Sequence, residues 1–214
     1  MKKLLIVLIC AILCILPYKS YADNDIHLKN YFTLQESAVS VIIFYKDGSG
    51  AFCSGIMITE DENSSGFLTA KHCVEGDIEK ILINFKEQVS YYIASPNRDI
   101  AYLELDHNLF SYDPIKIASY NAKYKDIVYF LGYPTGNSYF EMGLVAWNTL
   151  NNGYIFSKAI NGCSGAGAIN NRGQLVGILW GIITIGKIDI TIMTSIESIR
   201  PFLIQQKLWN KLHF

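Results

Sequence analysis

A single serine lies between glycines in the stretch Asn161-Gly162-Cys163-Ser164-Gly165-Ala166-Gly167. Glycine accepts backbone conformations that a Cβ atom forbids, so these residues can hold the Ser164 hydroxyl on a tight, exposed bend. The same bend can turn backbone N–H groups toward one point. Acyl-transfer chemistry needs this combination of a nucleophile and hydrogen-bond donors for the developing oxyanion. On its own, however, the stretch also fits an ordinary loop.

Two upstream segments carry the residue types that such a nucleophile requires. In the segment Gly66–Val74, an apolar strand ends in small residues that are followed by His72 and a cysteine. In the segment Asn97–Leu105, Asp99 stands before an alternating apolar strand. Each residue alone fits a cap, a turn or a loop. Together, His72, Asp99 and Ser164 follow one another in the order and rough spacing of a Ser-His-Asp triad, and we interpret them as one site.

These motifs resemble those of the chymotrypsin-like serine proteases. Thr69-Ala70-Lys71-His72-Cys73 is similar to the Thr-Ala-Ala-His-Cys of that family, and Asp99-Ile100-Ala101-Tyr102-Leu103 is similar to its Asp-Ile-Ala-Leu-Leu. Gly162–Ala166 is similar to its Gly-Asp-Ser-Gly-Gly. Three further segments resemble the Gly-Tyr-Pro and Gly-Val-Val segments of bacterial trypsin-like peptidases and the strand after the nucleophile: Gly132–Gly136, Gly143–Val145 and Leu175–Gly181. The resemblance extends from about Gly50 to Phe202.

The resemblance implies an all-β fold of two six-stranded antiparallel β-barrels with a C-terminal helix. It also implies a role for each site residue: Ser164 as the nucleophile, His72 as the general base and Asp99 as the group that orients the imidazole. The backbone N–H groups of Gly162 and Ser164 would form the oxyanion hole. The substrate would be a protein or peptide, and no metal or organic cofactor would be needed.

Three cysteines follow residue 22 in the chain. In the resembled family, cysteines at the positions of Cys53 and Cys73 form a disulfide, which leaves Cys163 unpaired. Closing a loop of about 20 residues would contribute about 3 kcal/mol in the chain-entropy model, and export to an oxidising compartment would allow the bond to form. A metal site made of these cysteines and His72 is an alternative, but they lack the short paired spacing of common zinc sites.

Several residues depart from the family pattern. Cys163 stands where zymogen-activated relatives place the aspartate that pairs with a newly formed N-terminal amine. No Ile-Val-Gly-Gly start is found, and the segment Asp23–Asn30 is interpreted as an extended, polar lead-in. Lys71 also replaces a small residue next to the histidine, and Ala166 replaces a glycine two residues after the nucleophile. We therefore expect the oxyanion loop to be ordered without an amine switch.

Three residues are candidates for the substrate pocket. Lys158 lies six positions before the nucleophile, at the pocket floor of many relatives, and would favour acidic side chains unless a residue is inserted. Trp180 and Gly181 would form the pocket wall, with Gly181 leaving room for a side chain. Glutamyl endopeptidases of this fold use a histidine in the second barrel. The only histidine after Asp113 is His213, at the end of the chain.

Residues 1–22 have the pattern of a secretory signal peptide. Lys2 and Lys3 precede the apolar run Leu4–Leu16, and Ser20-Tyr21-Ala22 fits a cleavage site. The apolar run of about 13 residues is too short to span a bilayer, so we expect a secreted or periplasmic protein that does not contact a membrane after cleavage. Cleavage would remove three lysines and no acidic residue, which changes the formal net charge from −1 to −4. This charge gives no electrostatic case for nucleic-acid binding.

The remainder of the chain is rich in short β-branched and aromatic segments separated by turn residues. Six predicted strands precede a linker at about residues 106–113: Ala38–Tyr45, Gly50–Ile58, Phe67–Ala70, Lys80–Phe85, Val89–Ala94 and Ile100–Leu105. Seven follow it: Ile115–Ala118, Asp126–Tyr133, Leu144–Leu150, Tyr154–Lys158, Gly167–Asn170, Leu175–Ile183 and Lys187–Thr194. Two small barrels, whose closure removes exposed strand edges, suit this pattern.

We expect one peptidase domain at residues 23–214, with barrel one at about 31–106, barrel two at about 114–194, a helix at about 196–212 and no appended PDZ module. The apolar residues Ile199, Phe202 and Leu203 have helical spacing. Pro201 is acceptable only in a first turn, which favours Ser198 as the N-cap.

Three functions fit the sequence. The first is an exported serine endopeptidase. The second is a protease-like binding protein with a misformed site, which the altered residues Cys163 and Ala166 would allow. The third is a cysteine protease that uses Cys163, although this would leave Ser164 and its glycines unexplained.

Overall fold

The computed structural model describes residues 25–209 and residue 212. The predicted signal segment at residues 1–22 and His213 lie outside the described residues. Among the residues that are described, no helix is both long enough and apolar enough to cross a membrane. Most of the regular structure is β-strand, arranged in two sheets.

The first sheet contains seven antiparallel strands in the order β5-β4-β1-β2-β3-β7-β6. Their bounds are β1 Ala38–Tyr45, β2 Gly50–Asp61, β3 Ser64–Thr69, β4 Ile78–Ile83, β5 Glu87–Gln88, β6 Tyr91–Ala94 and β7 Ala101–Leu105. The chain passes from one edge of the sheet to the other after β5: Val89 N–H donates to the Ile81 carbonyl, and Ser90 N–H donates to the Glu104 carbonyl. The sheet is thus a half-barrel, with the two-residue β5 in addition to the six predicted strands.

The second sheet has the order β12-β9-β10-β11-β14-β13-β8. Its strands are β8 Lys116–Ile117, β9 Ile127–Gly132, β10 Tyr139–Asn148, β11 Asn152–Phe156, β12 Gly167–Asn170, β13 Gln174–Ile185 and β14 Ile188–Ser195. Because β12 pairs with both β9 and β13, six strands close into a barrel. The short β8 joins β13 in parallel. The prediction of two mainly antiparallel, barrel-like sheets and a C-terminal helix is confirmed.

One apolar cluster joins the two sheets. Ile56 and Leu68 of the first sheet pack together with Leu131 and Ile169 of the second, and Ile199 of the C-terminal helix belongs to the same cluster. All five are almost completely buried. Full burial of such a side chain contributes roughly 1.5–3 kcal/mol, so this cluster fixes the two sheets against each other. The strand ends that carry the predicted site residues are thereby held in place.

The prediction of an extended lead-in at Asp23–Asn30 is wrong for the residues described, because residues 25–37 are helical and form helix α1. Leu34 is fully buried in the cluster between the sheets, and Tyr31 contacts Phe140 edge to face, with ring centroids 5.2 Å apart. The helix is therefore stabilised by packing against distant residues, which its own polar sequence does not indicate.

The C-terminal helix α2, Ile196–Gln205, begins at the predicted residue 196 but ends before the predicted residue 212. Its N-cap residue is Ser195 and not Ser198, so Pro201 lies inside the helix. The burial of Ile196, Ile199 and Leu203 on one face of the helix explains why the helix begins at residue 196. Pro201 is exposed on the other face, where a lost backbone hydrogen bond can be replaced by one to water.

Candidate active site

The pairing of β3 with β7 brings His72 and Asp99 together. His72 lies in a single 3₁₀ turn, Lys71–Val74, directly after β3, and Asp99 lies just before β7. Thr69 at the end of β3 pairs with Ala101 at the start of β7. His72 Nδ1 is 2.8 Å from Asp99 Oδ2, and the His72 backbone N–H donates to Oδ1 at 3.2 Å. One carboxylate therefore holds both the ring and its backbone.

A residue of the second barrel also anchors Asp99. The Thr194 hydroxyl, on β14, donates to the backbone carbonyl of Asp99 at 3.0 Å. Thr194 is almost completely buried. The aspartate is thus fixed from both barrels, and sequence analysis did not identify this contact.

The two side chains perturb each other's ionisation. The hydrogen bond with Asp99 raises the pKa of His72, although partial burial acts against the charged imidazolium. Burial alone would raise the pKa of Asp99, but the hydrogen bonds from the His72 ring and backbone outweigh it and lower that pKa. At neutral pH the aspartate is ionised beside an imidazole whose basicity it increases.

Two consecutive tight turns form the loop that carries the nucleophile, and Ser164 lies in the second of them. Cys163 N–H donates to the Ile160 carbonyl and Ala166 N–H donates to the Cys163 carbonyl, each at 3.0 Å. The third residue of each turn is a glycine with positive φ, 95° at Gly162 and 89° at Gly165. A type II turn requires this conformation at its third position, and glycine adopts it at little cost. The glycines on either side of the serine are therefore explained by backbone geometry.

The backbone amides assigned to the oxyanion hole have no hydrogen-bond partner among the described residues. Within the described part of the chain, the N–H groups of Gly162 and Ser164 donate no hydrogen bond to a protein atom. Unpaired amides are uncommon in native structures, unless they face water or a ligand. Both amides are therefore free to donate to an incoming oxyanion.

The loop that carries Ser164 packs against the strand ends that carry His72. Ser54 N–H, on β2, donates to the Ser164 carbonyl at 2.8 Å, and the Cys73 sulfur lies 3.8 Å from the same oxygen. A Cβ atom on Gly165 would collide with the Ser54 carbonyl and the Thr69 hydroxyl. Among the described residues, no hydrogen bond joins the His72 ring to the Ser164 hydroxyl. Catalytic hydrogen bonds are often long before substrate binds.

Cys53 and Cys73 are joined by a disulfide that spans 20 residues and links β2 to the histidine turn. Both sulfurs are therefore unable to act as thiolate ligands, which removes two of the four ligands that the metal-site alternative requires. In the described ranges, no group of three or more His, Cys, Asp or Glu residues is placed to hold a metal ion.

Cys163 is unpaired and only 1% exposed. Its sulfur packs against Gly132, where a Cβ atom would come within 2.8 Å of it. Burial raises the pKa of this thiol, whereas a nucleophilic cysteine needs a lowered pKa and access to solvent. The cysteine-protease alternative has no support in this geometry. Ala166 is also fully buried in the core of the second barrel, so both altered positions are accommodated by packing.

Comparison with known proteins agrees with this arrangement. The trypsin-like peptidase domain family matches residues 53–178, more than half of the chain. The chain belongs to this family. No curated protein sequence matches the chain.

Solved structures similar to this trypsin-like peptidase domain share its fold at low sequence identity. The active form of the Rv3671c protease from M. tuberculosis is 18% identical, with a TM-score of 0.70 over 82% of each chain. The inactive form of the Rv3671c protease is 19% identical, with a TM-score of 0.69 over 83% of this chain and 92% of that one. GrC is 15% identical, with a TM-score of 0.67 over 82% of this chain and 95% of its own. The chymotrypsin-like double-barrel fold is thus confirmed.

A cavity of about 730 Å³ opens beside the nucleophile loop of this peptidase domain. Its lining includes Tyr139, Lys158, Asn161, Ile182, Thr184 and Asp189. Of the three residues predicted for the substrate pocket, Lys158 lines this cavity, whereas Trp180 and Gly181 do not. Trp180 instead packs against the core of the first sheet. The cavity carries side chains of both charges, Lys158 and Asp189.

Proposed function

We propose that this trypsin-like peptidase is an exported serine endopeptidase that forms an acyl-enzyme intermediate. The observation that carries the proposal is the 2.8 Å contact between His72 Nδ1 and Asp99 Oδ2, made next to the double turn that contains Ser164. Membership of the peptidase family supports a protease function. Such an enzyme acts on protein or peptide substrates.

Each residue has a defined step in this reaction. The Ser164 oxygen attacks the scissile carbonyl carbon while His72 Nε2 accepts the hydroxyl proton. Asp99 keeps Nδ1 protonated and stabilises the imidazolium that forms. The N–H groups of Gly162 and Ser164 donate to the oxyanion of the tetrahedral intermediate. His72 then transfers its proton to the leaving amine as the carbon–nitrogen bond breaks, and water, activated by the same histidine, hydrolyses the acyl-enzyme.

Two observations support export. Residues 1–22 have the composition of a secretory signal peptide, and the disulfide between Cys53 and Cys73 is of a kind that persists in oxidising compartments. We therefore propose a secreted or periplasmic enzyme. Its formal net charge after signal cleavage, −4 by sequence, gives no reason to expect a nucleic-acid partner.

A fluorophosphonate probe tests the proposal directly, because it reacts with a serine only when base and oxyanion hole are both formed. Mass spectrometry should find the label on Ser164, and peptide-library cleavage should be lost in Ser164→Ala by a factor on the order of 10⁶. Thermal unfolding of this variant should match wild type. Absence of both labelling and cleavage in folded wild-type protein would instead indicate a binding protein.

A further inference from the structure

Ser54 is completely buried at the point where β2 meets the nucleophile loop. Its N–H donates to the Ser164 carbonyl at 2.8 Å, and its carbonyl accepts the Thr69 hydroxyl at 2.7 Å. Its own hydroxyl donates to the Gly162 carbonyl at 2.7 Å and accepts the Tyr133 N–H at 2.8 Å. This one residue therefore contacts the loop on both sides of Cys163.

We propose that the Ser54 hydroxyl is a positioning group that holds the oxyanion hole in its active shape; the catalytic part of this inference rests on the proposed function. The two amides of the proposed hole, at Gly162 and Ser164, flank the carbonyl that the hydroxyl holds. Glycine at position 162 has the widest backbone freedom of any residue. A hydrogen bond to its carbonyl restricts the rotation that would turn these amides away.

The direction of the Ser54 hydroxyl is fixed by its second partner. Because the Tyr133 N–H donates to Oγ, the hydroxyl proton is directed to the Gly162 carbonyl and not back to Tyr133. Tyr133 follows β9 of the second barrel, whereas Ser54 lies in the first. The hydroxyl thus ties the loop to both barrels, without the charged amine that zymogen-activated relatives use.

Ser65 offers a matched control. It is also completely buried in the first sheet, and its hydroxyl donates to the His107 carbonyl at 3.1 Å and accepts the Leu109 N–H at 3.0 Å. Ser54→Ala and Ser65→Ala therefore each remove a buried hydroxyl that donates one hydrogen bond to a carbonyl and accepts one from a backbone N–H. Only the former removes a bond to the loop that carries the nucleophile.

Kinetics provide the first measurement. Ser54→Ala should lower kcat by about 10- to 100-fold, less than the loss of a whole oxyanion-hole donor, while KM changes by no more than about twofold. Ser65→Ala should leave both constants near wild type. An unchanged kcat in Ser54→Ala, or an equal loss in Ser65→Ala, would overturn the proposal.

The buried thiol of Cys163 provides a second measurement that does not depend on activity. Iodoacetamide, added to native protein without reductant, should alkylate Cys163 at least about tenfold faster in Ser54→Ala than in wild type or Ser65→Ala, because the turn opens more often. Equal rates in all three would overturn the proposal. If wild-type protein neither cleaves peptides nor reacts with fluorophosphonate, the proposed function fails, and this thiol rate still decides the role of Ser54 in ordering the loop.

Ser54→Thr keeps the proposal testable if the alanine variant does not fold. It retains the hydroxyl, so Cys163 should label at the wild-type rate, within about threefold. Fast labelling of folded Ser54→Thr, with its hydroxyl present, would overturn the proposal.

Discussion

Removing the disulfide between Cys53 and Cys73 should cost a calculable amount of stability. The bond closes a loop with a sequence separation of 20 residues. The chain-entropy relation gives about 11 cal/mol/K for a loop of this length, or about 3.3 kcal/mol at 25 °C. For a domain of this size, such a loss lowers Tm by about 7–13 °C. We therefore expect the variant Cys53→Ala/Cys73→Ala to remain folded at 25 °C but to unfold clearly earlier.

Urea unfolding followed by tryptophan fluorescence measures this loss. Wild-type protein in reductant is the control, because it lacks the cross-link but keeps both cysteine side chains. If the cross-link acts through the unfolded chain, reduced wild type and the double variant should have similar midpoints. A loss below about 1 kcal/mol in both would refute the reasoning, given the roughly 3 kcal/mol that this loop length predicts. A loss in the variant alone would assign the effect to side-chain packing.

Two further predictions concern the site itself. Because Asp99 raises the pKa of His72, and only the neutral imidazole accepts a proton, kcat/KM should fall as pH drops through a midpoint above about 6.5. Asp99→Asn should move this midpoint to lower pH and reduce turnover by roughly 10⁴; an unchanged pH–rate profile would mean that another group orients the ring. Thiol titration of oxidised protein that lacks residues 1–22 should find about one reactive thiol per chain after denaturation. The native protein should label slowly, since burial raises the pKa of Cys163. Peptide mapping that finds Cys163 in a disulfide would contradict the structure.

The sequence predicts the strands well where one buried face imposes a local pattern. The bounds of β1, Ala38–Tyr45, and β12, Gly167–Asn170, match the prediction. His72 and Asp99 are also predictable, because each belongs to a short motif at a strand end. Antiparallel pairing then places these ends side by side.

Features that depend on contacts between distant residues could not be predicted in this way. Helix α1, at residues 25–37, is stabilised by the burial of Leu34 between the barrels, and no pattern within the segment indicates that partner. In β13, the register shifts between Leu179 and Gly181. Such a bulge changes which side chains face the cavity, so that Ile182 lines it.

The hydroxyl of Ser54 illustrates the same limit at the site. Its bond to the Gly162 carbonyl joins residues 108 positions apart. A serine next to a cysteine in the sequence does not by itself indicate such a contact. The nearest indication in the sequence is a polar residue within the apolar strand β2. Only the packing of β2 against the nucleophile loop gives that residue a partner.

The replacement of an aspartate by Cys163 changes how the loop can be ordered. A buried carboxylate is costly unless a cation accompanies it, which is why an aspartate at this position depends on a newly formed amine. A neutral thiol needs no such partner, and Cys163 is buried against Gly132 with its pKa raised by that burial. The Ser54 hydroxyl supplies the polar contact to the neighbouring carbonyl. The loop can therefore reach its ordered conformation as the two barrels pack together, so we expect peptidase activity not to depend on an ion pair between this loop and a newly formed N-terminal amine.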